Sequence, residues 1–211
     1  MTVKNIVFDL GNVIMKYDVD AMLERFSLTF DEKELFKSRI FFDEKWKDGD
    51  RGFSFRDVLF YDTVKEFSPK MKRVFYSLVA RYDFELEFME FNKGIDDIIS
   101  ELKQNGYSIY LLSNFGLNFH FLRNKVPVFS LFDGFFASCD YGIIKPEKEI
   151  YEEFFRKFSL NPSECLFIDD SKENTEASCA NGMDAFMYNA LFEDTDVLRN
   201  RLQVRGINIG N

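Results

Sequence analysis

The stretch Ile6-Val7-Phe8-Asp9-Leu10-Gly11-Asn12-Val13 decides the fold. Three apolar residues in succession read as a buried strand, and they run straight into an acidic residue and a Gly-Asn turn. An open α/β sheet gathers its chemistry in the crevice beyond the carboxyl ends of its strands, which is where this order would leave the Asp9 carboxylate. Strand, aspartate and turn also occur together for capping and turn formation alone. The stretch therefore acquires its meaning from three others downstream: Leu111-Leu112-Ser113-Asn114, Lys145-Pro146, and Leu166-Phe167-Ile168-Asp169-Asp170.

Outward from the first strand, placed over residues 3 to 9, the chain becomes polar and helix-rich from about 16 to 88. Asp20 is placed to cap a helix carrying Met22, Leu23 and Phe26, and Asp31 with Glu34 has capping-box spacing. The run Lys47-Asp48-Gly49-Asp50-Arg51-Gly52 reads as a charged turn. Ser54 would cap a helix bearing Phe55, Val58 and Leu59, and Pro69 would open one with Val74, Phe75, Leu78, Val79 and Tyr82 on a single face. No strand-like alternation stands out, so this segment reads as a small helical bundle inserted after the first strand.

From residue 94 helix and strand alternate. Ile95, Ile98, Ile99 and Leu102 have helical spacing, and strands are expected over 107–112, 135–138, 165–168 and 185–188. Helices are expected over 116–125, from Pro146 with Ile150, Tyr151, Phe154, Phe155 and Phe158 on one side, over 172–181 and over 196–205. Alternating β and α units imply a parallel, doubly wound sheet, an α/β Rossmann-like core built from residues 1–15 and 89–211, interrupted by 16–88.

Composition bounds the function. A chain of 211 residues with 46% hydrophobic and 30% charged residues can bury a good core, to which the 27 phenylalanines contribute. A net charge of -9 argues against nucleic acid as the main partner. Cys139, Cys165 and Cys179 have no metal-ligand spacing, and their odd number suits reduced thiols. No signal peptide is visible and no apolar run approaches the ~20 residues that span a bilayer. The expectation is a soluble, cytoplasmic protein with no membrane partner.

In a parallel sheet the ends of different strands converge on one edge, which would gather Asp9, Ser113, Asp169 and Asp170, with Lys145 supplied by the loop before its helix. Three clustered carboxylates repel one another unless a cation joins them, and hard oxygen ligands of this kind suit Mg²⁺. With Lys145 as a further positive charge, and Ser113 and Asn114 as neutral donors, the set makes sense as a site for phosphoryl chemistry on a small phosphorylated metabolite.

These ordered stretches, Asp9-Leu10-Gly11-Asn12-Val13, Ser113, Lys145-Pro146 and Asp169-Asp170, resemble the four motifs of the haloacid dehalogenase superfamily. The Asp-Leu-Gly-Asn-Val form is similar to that of a bacterial branch that includes sugar-phosphate phosphatases acting on glucose 1-phosphate. The resemblance implies that residues 16–88 are a helical cap and that Asp9 attacks phosphorus, carrying an aspartyl-phosphate. It also implies that Ser113 and Asn114 bind the phosphoryl group, that Lys145 bridges Asp9 and the phosphate, and that Asp9, the Gly11 carbonyl, Asp169 and Asp170 hold Mg²⁺. Asp170 would be the direct ligand, with Asp169 a second or water-mediated one.

One position departs from the family. Most of its phosphatases carry a second aspartate two residues after the nucleophile as general acid and base, and here that position is Gly11. Losing such a group typically costs about 10²- to 10⁴-fold in rate. The expectation is a slow enzyme, a substrate with a good leaving group such as an anomeric sugar phosphate, or a substitute acid. Asp18, Asp20 and His120 are candidates for the last, against their plainer readings as hinge residue, helix cap and exposed helical residue. Rival functions are a haloacid dehalogenase, which uses the same aspartate on carbon without metal, and a catalytically degenerate member that binds a phosphometabolite or a protein. A mutase is weaker, since it depends on the acid that Gly11 replaces. In the cap, Trp46, Arg51 and Arg56 are candidate substrate contacts.

Overall fold

The first strand sits in the middle of the sheet that everything else covers. The computed structural model describes residues 2–53, 60–79 and 88–210. After β1 (Asn5–Phe8) the chain turns through Leu10–Ile14 into β2 (Met15–Tyr17). It then runs through α1 (Val19–Glu24), α2 (Phe30–Phe36) with a π-helical turn at Lys37–Phe41, α3 (Glu44–Asp50), α4 (Tyr61–Lys65) and α5 (Pro69–Val79). It returns by β3 (Met89–Phe91), antiparallel to β2. Then follow α6 (Ile95–Gln104), β4 (Ser108–Ser113), α7 (Phe119–Leu122), β5 (Gly134–Ala137), α8 (Lys148–Phe158), β6 (Cys165–Asp169), α9 (Lys172–Ala180), β7 (Asp184–Met187) and α10 (Thr195–Val204).

The parallel sheet has the order β5-β4-β1-β6-β7. Its central strands are buried on both faces, which is why they read as continuous apolar runs. Ile6, Phe8, Ile109, Leu111, Leu166 and Ile168 face one layer, which includes α6, α7 and α10. Val7, Leu112, Phe136 and Phe167 face the other, against Ile150, Tyr151 and Phe154 of α8. The doubly wound α/β sheet expected from the sequence is present.

The segment between β2 and β3 closes on an apolar cluster of its own, with Met22, Leu23, Phe36, Phe41, Phe60, Phe67 and Phe75 among its buried members. In α5 the residues Met71, Val74, Phe75 and Leu78 form the buried stripe that helical spacing demands. The Val79 side chain and Tyr82, like Ser54, Phe55, Arg56, Val58 and Leu59, lie outside the described residues.

Several local expectations need correction. Asp18, not Asp20, caps α1, accepting the Ala21 N–H at 2.9 Å. The capping box of α2 is Thr29 with Glu32 rather than Asp31 with Glu34, because Thr29 and Glu32 satisfy each other's backbone N–H groups two residues earlier. Lys47–Asp50 is not a turn: Asp43 caps a helix that runs through Gly49, and the turn begins only at Arg51. The helix expected over 116–125 is the single turn of α7. The β2–β3 pair was masked by its shortness, three residues on each side.

Candidate functional site

β1 lies between β4 and β6 in a register that pairs Phe8 with both Leu111 and Ile168. The three strands therefore end together, and Asp9, Ser113 and Asp169 emerge at one edge. The Asp9 N–H still donates to the Ile168 carbonyl, at 2.9 Å, so its side chain is set by the sheet rather than by a free loop.

Lys145 is delivered to this edge and clamped there. Asn114 holds its backbone from both sides, the amide donating to the Lys145 carbonyl at 2.9 Å and the side-chain oxygen accepting the Lys145 N–H at 2.7 Å. The ammonium lies 2.9 Å from Asp9 Oδ1, 2.6 Å from Asp169 Oδ2 and 3.1 Å from the Leu112 carbonyl. Burial alone would lower the affinity of Lys145 for its proton. The Asp169 and Asp9 charges outweigh it and hold the ammonium above the usual lysine range.

The three acids differ in what they have left to offer. Asp169 is fully buried and saturated: Oδ1 accepts the Ser171 N–H at 2.8 Å and Asn174 Nδ2 at 3.0 Å, while Oδ2 takes Lys145 and Asn174. Asp170 Oδ2 accepts from Asn12 Nδ2 at 3.0 Å and, more weakly, from Asn189 Nδ2 at 3.4 Å. Burial is the main influence that raises its proton affinity. Asp9 is pushed up to about 7, by burial first and by the Asp169 and Asp170 charges, with Lys145 opposing. Its Oδ1 is buried and, although paired in charge with Lys145, makes no hydrogen bond of good geometry.

An oxygen atom so placed is what a metal ligand looks like. Asp9, Asp169 and Asp170 each offer a carboxylate oxygen within 4.8 Å of one another. A hard-oxygen donor set of this kind fits Mg²⁺ better than a soft metal. Asp9 and Asp170 are the members with oxygens to spare.

A cavity of about 140 Å³ opens over them. Its floor is Asp9, Gly11, Asn12, Asn114 and Asp170, and its walls are Tyr17, Trp46, Asp50, Met89, Phe115 and Gly116. Ser113 and Lys145 lie buried beneath, the Ser113 hydroxyl making a long 3.5 Å contact to the Asn114 carbonyl. Of the proposed cap contacts, Trp46 lines the cavity. Arg51 does not: it forms a bidentate ion pair with Glu147 and donates to the Gly142 carbonyl. Arg56 is outside the described residues. None of the candidate substitute acids lines the cavity: Asp18 caps α1, Asp20 pairs with Lys37 at 2.7 Å, and His120 pairs with Asp140 at 3.0 Å.

Asn12 is the participant that motif reading passed over. With φ of 52° it occupies the left-handed region, which asparagine tolerates better than most residues. Its side chain donates to Asp170 and accepts the Tyr17 N–H at 2.9 Å, so one residue ties the β1 turn, β2 and the acid that follows β6 together. The local signal was the Gly-Asn dipeptide, read only as a turn.

A family model described as haloacid dehalogenase-like hydrolase matches residues 3–178. The chain is 28% identical over 185 residues to the sesquiterpene phosphatase astK of Aspergillus oryzae, covering 86% of this chain and 88% of the relative. It is 24% identical to the D-ribitol-5-phosphate phosphatase of Bacteroides thetaiotaomicron, covering 87% and 91%. Among solved structures, a HAD family enzyme of Bacteroides thetaiotaomicron in complex with magnesium and inorganic phosphate superposes with a TM-score of 0.68 at 23% identity, over 93% of this chain and 98% of that one.

Proposed function

Since the chain belongs to the haloacid dehalogenase-like hydrolase family, we propose that it is a magnesium-dependent phosphatase that hydrolyses a small phosphorylated metabolite through an aspartyl-phosphate on Asp9. The observation that carries this reading is the buried Asp9 carboxylate, set by the sheet between Lys145 and Asp170 at the floor of a cavity, with one oxygen that is charge-paired with Lys145 but takes no well-formed hydrogen bond from the described residues. Residues 16–88 act as the cap over that cavity.

In this reading the residues divide the work. Asp9 presents one oxygen to phosphorus. The Lys145 ammonium, fixed by its acceptors, favours the ionised form of Asp9 and adds a positive charge beneath the phosphoryl oxygens. Ser113, beneath the cavity floor, takes the role of phosphoryl donor that the family's motif order implies. Asn114 serves chiefly by fixing Lys145, since both ends of its amide are engaged there. Asp9, the Gly11 carbonyl and Asp170 would hold Mg²⁺, with saturated Asp169 behind them, and the ion supplies the positive charge that lets these acids and a phosphate share one site.

A sugar or polyol phosphate, of the kind the bacterial relative's name describes, would have Trp46 and Tyr17 to stack against its ring or chain. The apolar surface of Trp46, Met89 and Phe115 favours a second reading, a terpenoid phosphate of the kind the fungal relative's name describes. A screen with sugar phosphates in one arm and a sesquiterpene phosphate in the other separates them.

The reaction class is tested by hydrolysis of an aryl phosphate with Mg²⁺, with EDTA, and with Asp9→Asn. Turnover that requires metal and disappears in the variant is expected. Wild type no more active than the variant would point instead to a degenerate member that binds a ligand or partner. Release of halide from a 2-haloacid without metal would point to a dehalogenase.

A further inference from the structure

Gly11 leaves the nucleophile without a neighbouring proton donor, and it leaves space as well: a Cβ at Gly11 would meet no atom of the described residues within 4 Å. The residues lining the cavity include a further aspartate, Asp50. We propose that Asp50, at the end of α3, is the general acid and base of this enzyme, an inference that rests on the phosphatase reading above.

Asp50 is half-buried and lines the cavity on whose floor Asp9 lies. Among the described residues, the other acidic residues lining that space are Asp9, which would attack, and Asp170, which Asn12 holds toward the cation site. Tyr17 also lines it, but a phenol, with an ordinary pKa near 10, is a poor proton acceptor for the second half of the reaction near neutral pH.

The segment that carries Asp50 is fastened to the core at three successive residues. The Asp50 carbonyl accepts the Ser138 hydroxyl at 2.6 Å. Arg51 grips Glu147 and the Gly142 carbonyl. Gly52, with φ of +94°, lies so close to the Cys139 carbonyl that a Cβ would come within 2.6 Å of its oxygen. Side chains on a free cap loop wander, whereas the backbone here is anchored at Asp50 itself and at Arg51, and packed against Cys139 at Gly52. The anchoring explains why a turn of the cap meets the core here.

The chemistry balances. An Asp9 oxygen forms a bond to phosphorus while the bond from phosphorus to the ester oxygen breaks. The electron pair stays on that oxygen, which takes the proton from the Asp50 carboxyl and leaves as the alcohol. Asp50, now a carboxylate, accepts a proton from the water that attacks the aspartyl-phosphate. Asp9 departs as carboxylate, inorganic phosphate is released and the Asp50 carboxyl is restored.

The test is the leaving-group dependence of kcat/KM, which reports the steps up to departure of the alcohol. Alkyl phosphates need the proton, and aryl phosphates with acidic phenols need it far less. Asp50→Asn is expected to lower the alkyl-to-aryl ratio of kcat/KM by about 100-fold, the low end of what a general acid contributes. Gly11→Asp in the Asp50→Asn background is expected to recover at least about tenfold of that ratio, because the space beside Asp9 is open. An unchanged ratio, or equal losses on both ester types, overturns the proposal while leaving the phosphatase reading intact. Wild-type turnover of aryl phosphate that survives Asp9→Asn overturns the phosphatase reading itself, and so does a wild type inert toward every ester. Thermal melting of each variant verifies that the ratio is measured on folded protein.

Discussion

Lys145 and Asp9 form an ion pair almost wholly removed from water, Nζ to Oδ1 being 2.9 Å with the residues 3% and 7% exposed. The same ammonium neutralises Asp169, which is 0% exposed. Removing the ammonium strands two carboxylates without solvent, and loss of one partner from a buried ion pair typically costs about 3–5 kcal/mol. Lys145→Met is expected to lose that much in urea unfolding as well as its turnover. Lys145→Arg is expected to keep part of the stability and little of the activity, because a planar guanidinium cannot occupy the point between Asp9, Asp169 and the Leu112 carbonyl.

Asp9 itself is a liability to the metal-free fold. Its proton affinity rises from 3.8 to about 7, chiefly through burial. A carboxyl group raised in this way stabilises the folded state below its unfolded value, and that contribution is lost as pH climbs from about 4 to 7. In EDTA, wild type and Asp9→Asn should therefore melt alike near pH 4. At pH 8 the variant should melt higher, by about 3 °C or more. Differential scanning fluorimetry across this range checks the sign, and a difference that closes with rising pH would contradict it. Added Mg²⁺ should raise the wild-type melting temperature at pH 8 more than the variant's.

The sheet was legible because its central strands are buried on both faces, so Ile6-Val7-Phe8 and Leu166-Phe167-Ile168 announce themselves by unbroken apolarity. Asp9 and Asp169 were legible for the same reason, each being the polar residue that ends such a run. What local pattern could not convey was hydrogen-bond satisfaction: Asp169 and Asp170 are adjacent, yet one is saturated and the other lines the cavity. Asp50 was hidden by its neighbours. Gly49 within a charged run reads as a turn, while the Asp43 cap carries the helix through it. Arg51 is only a candidate substrate contact in the sequence, since its partner Glu147 is 96 residues away, beyond any local pattern.

Asn12 gives a way to perturb the cation site without touching a proposed ligand. Asn12→Gly accommodates the φ of 52° but deletes the donor to Asp170 and the acceptor for Tyr17 N–H. Groups that orient a metal ligand are typically worth about 10- to 100-fold in metal affinity. Titration of activity with Mg²⁺ should show the half-saturating concentration rising by about that factor, with kcat at saturating metal falling much less. A loss of kcat at unchanged magnesium dependence would mean that Asn12 supports the β1 turn rather than Asp170.

The contact between cap and core around residues 50–52 should control how well substrate is held. Arg51 and Glu147 are 27% and 34% exposed at the side chain, so water screens their pairing and its coupling energy should stay near 1 kcal/mol in a double-mutant cycle of Arg51→Ala and Glu147→Ala. Gly52 is the more demanding partner. Alanine there combines a φ of +94°, which L residues rarely adopt, with a Cβ at 2.6 Å from a carbonyl oxygen that belongs to the core backbone. The cap segment must move away to relieve it, which lifts Asp50 and Trp46 from the cavity. Gly52→Ala is therefore expected to raise KM by about tenfold or more and to lower kcat on alkyl phosphates further than on aryl ones, whereas the Arg51 and Glu147 variants should shift KM by only a few-fold. Equal KM for Gly52→Ala and wild type would show that the cap reaches the cavity by another route.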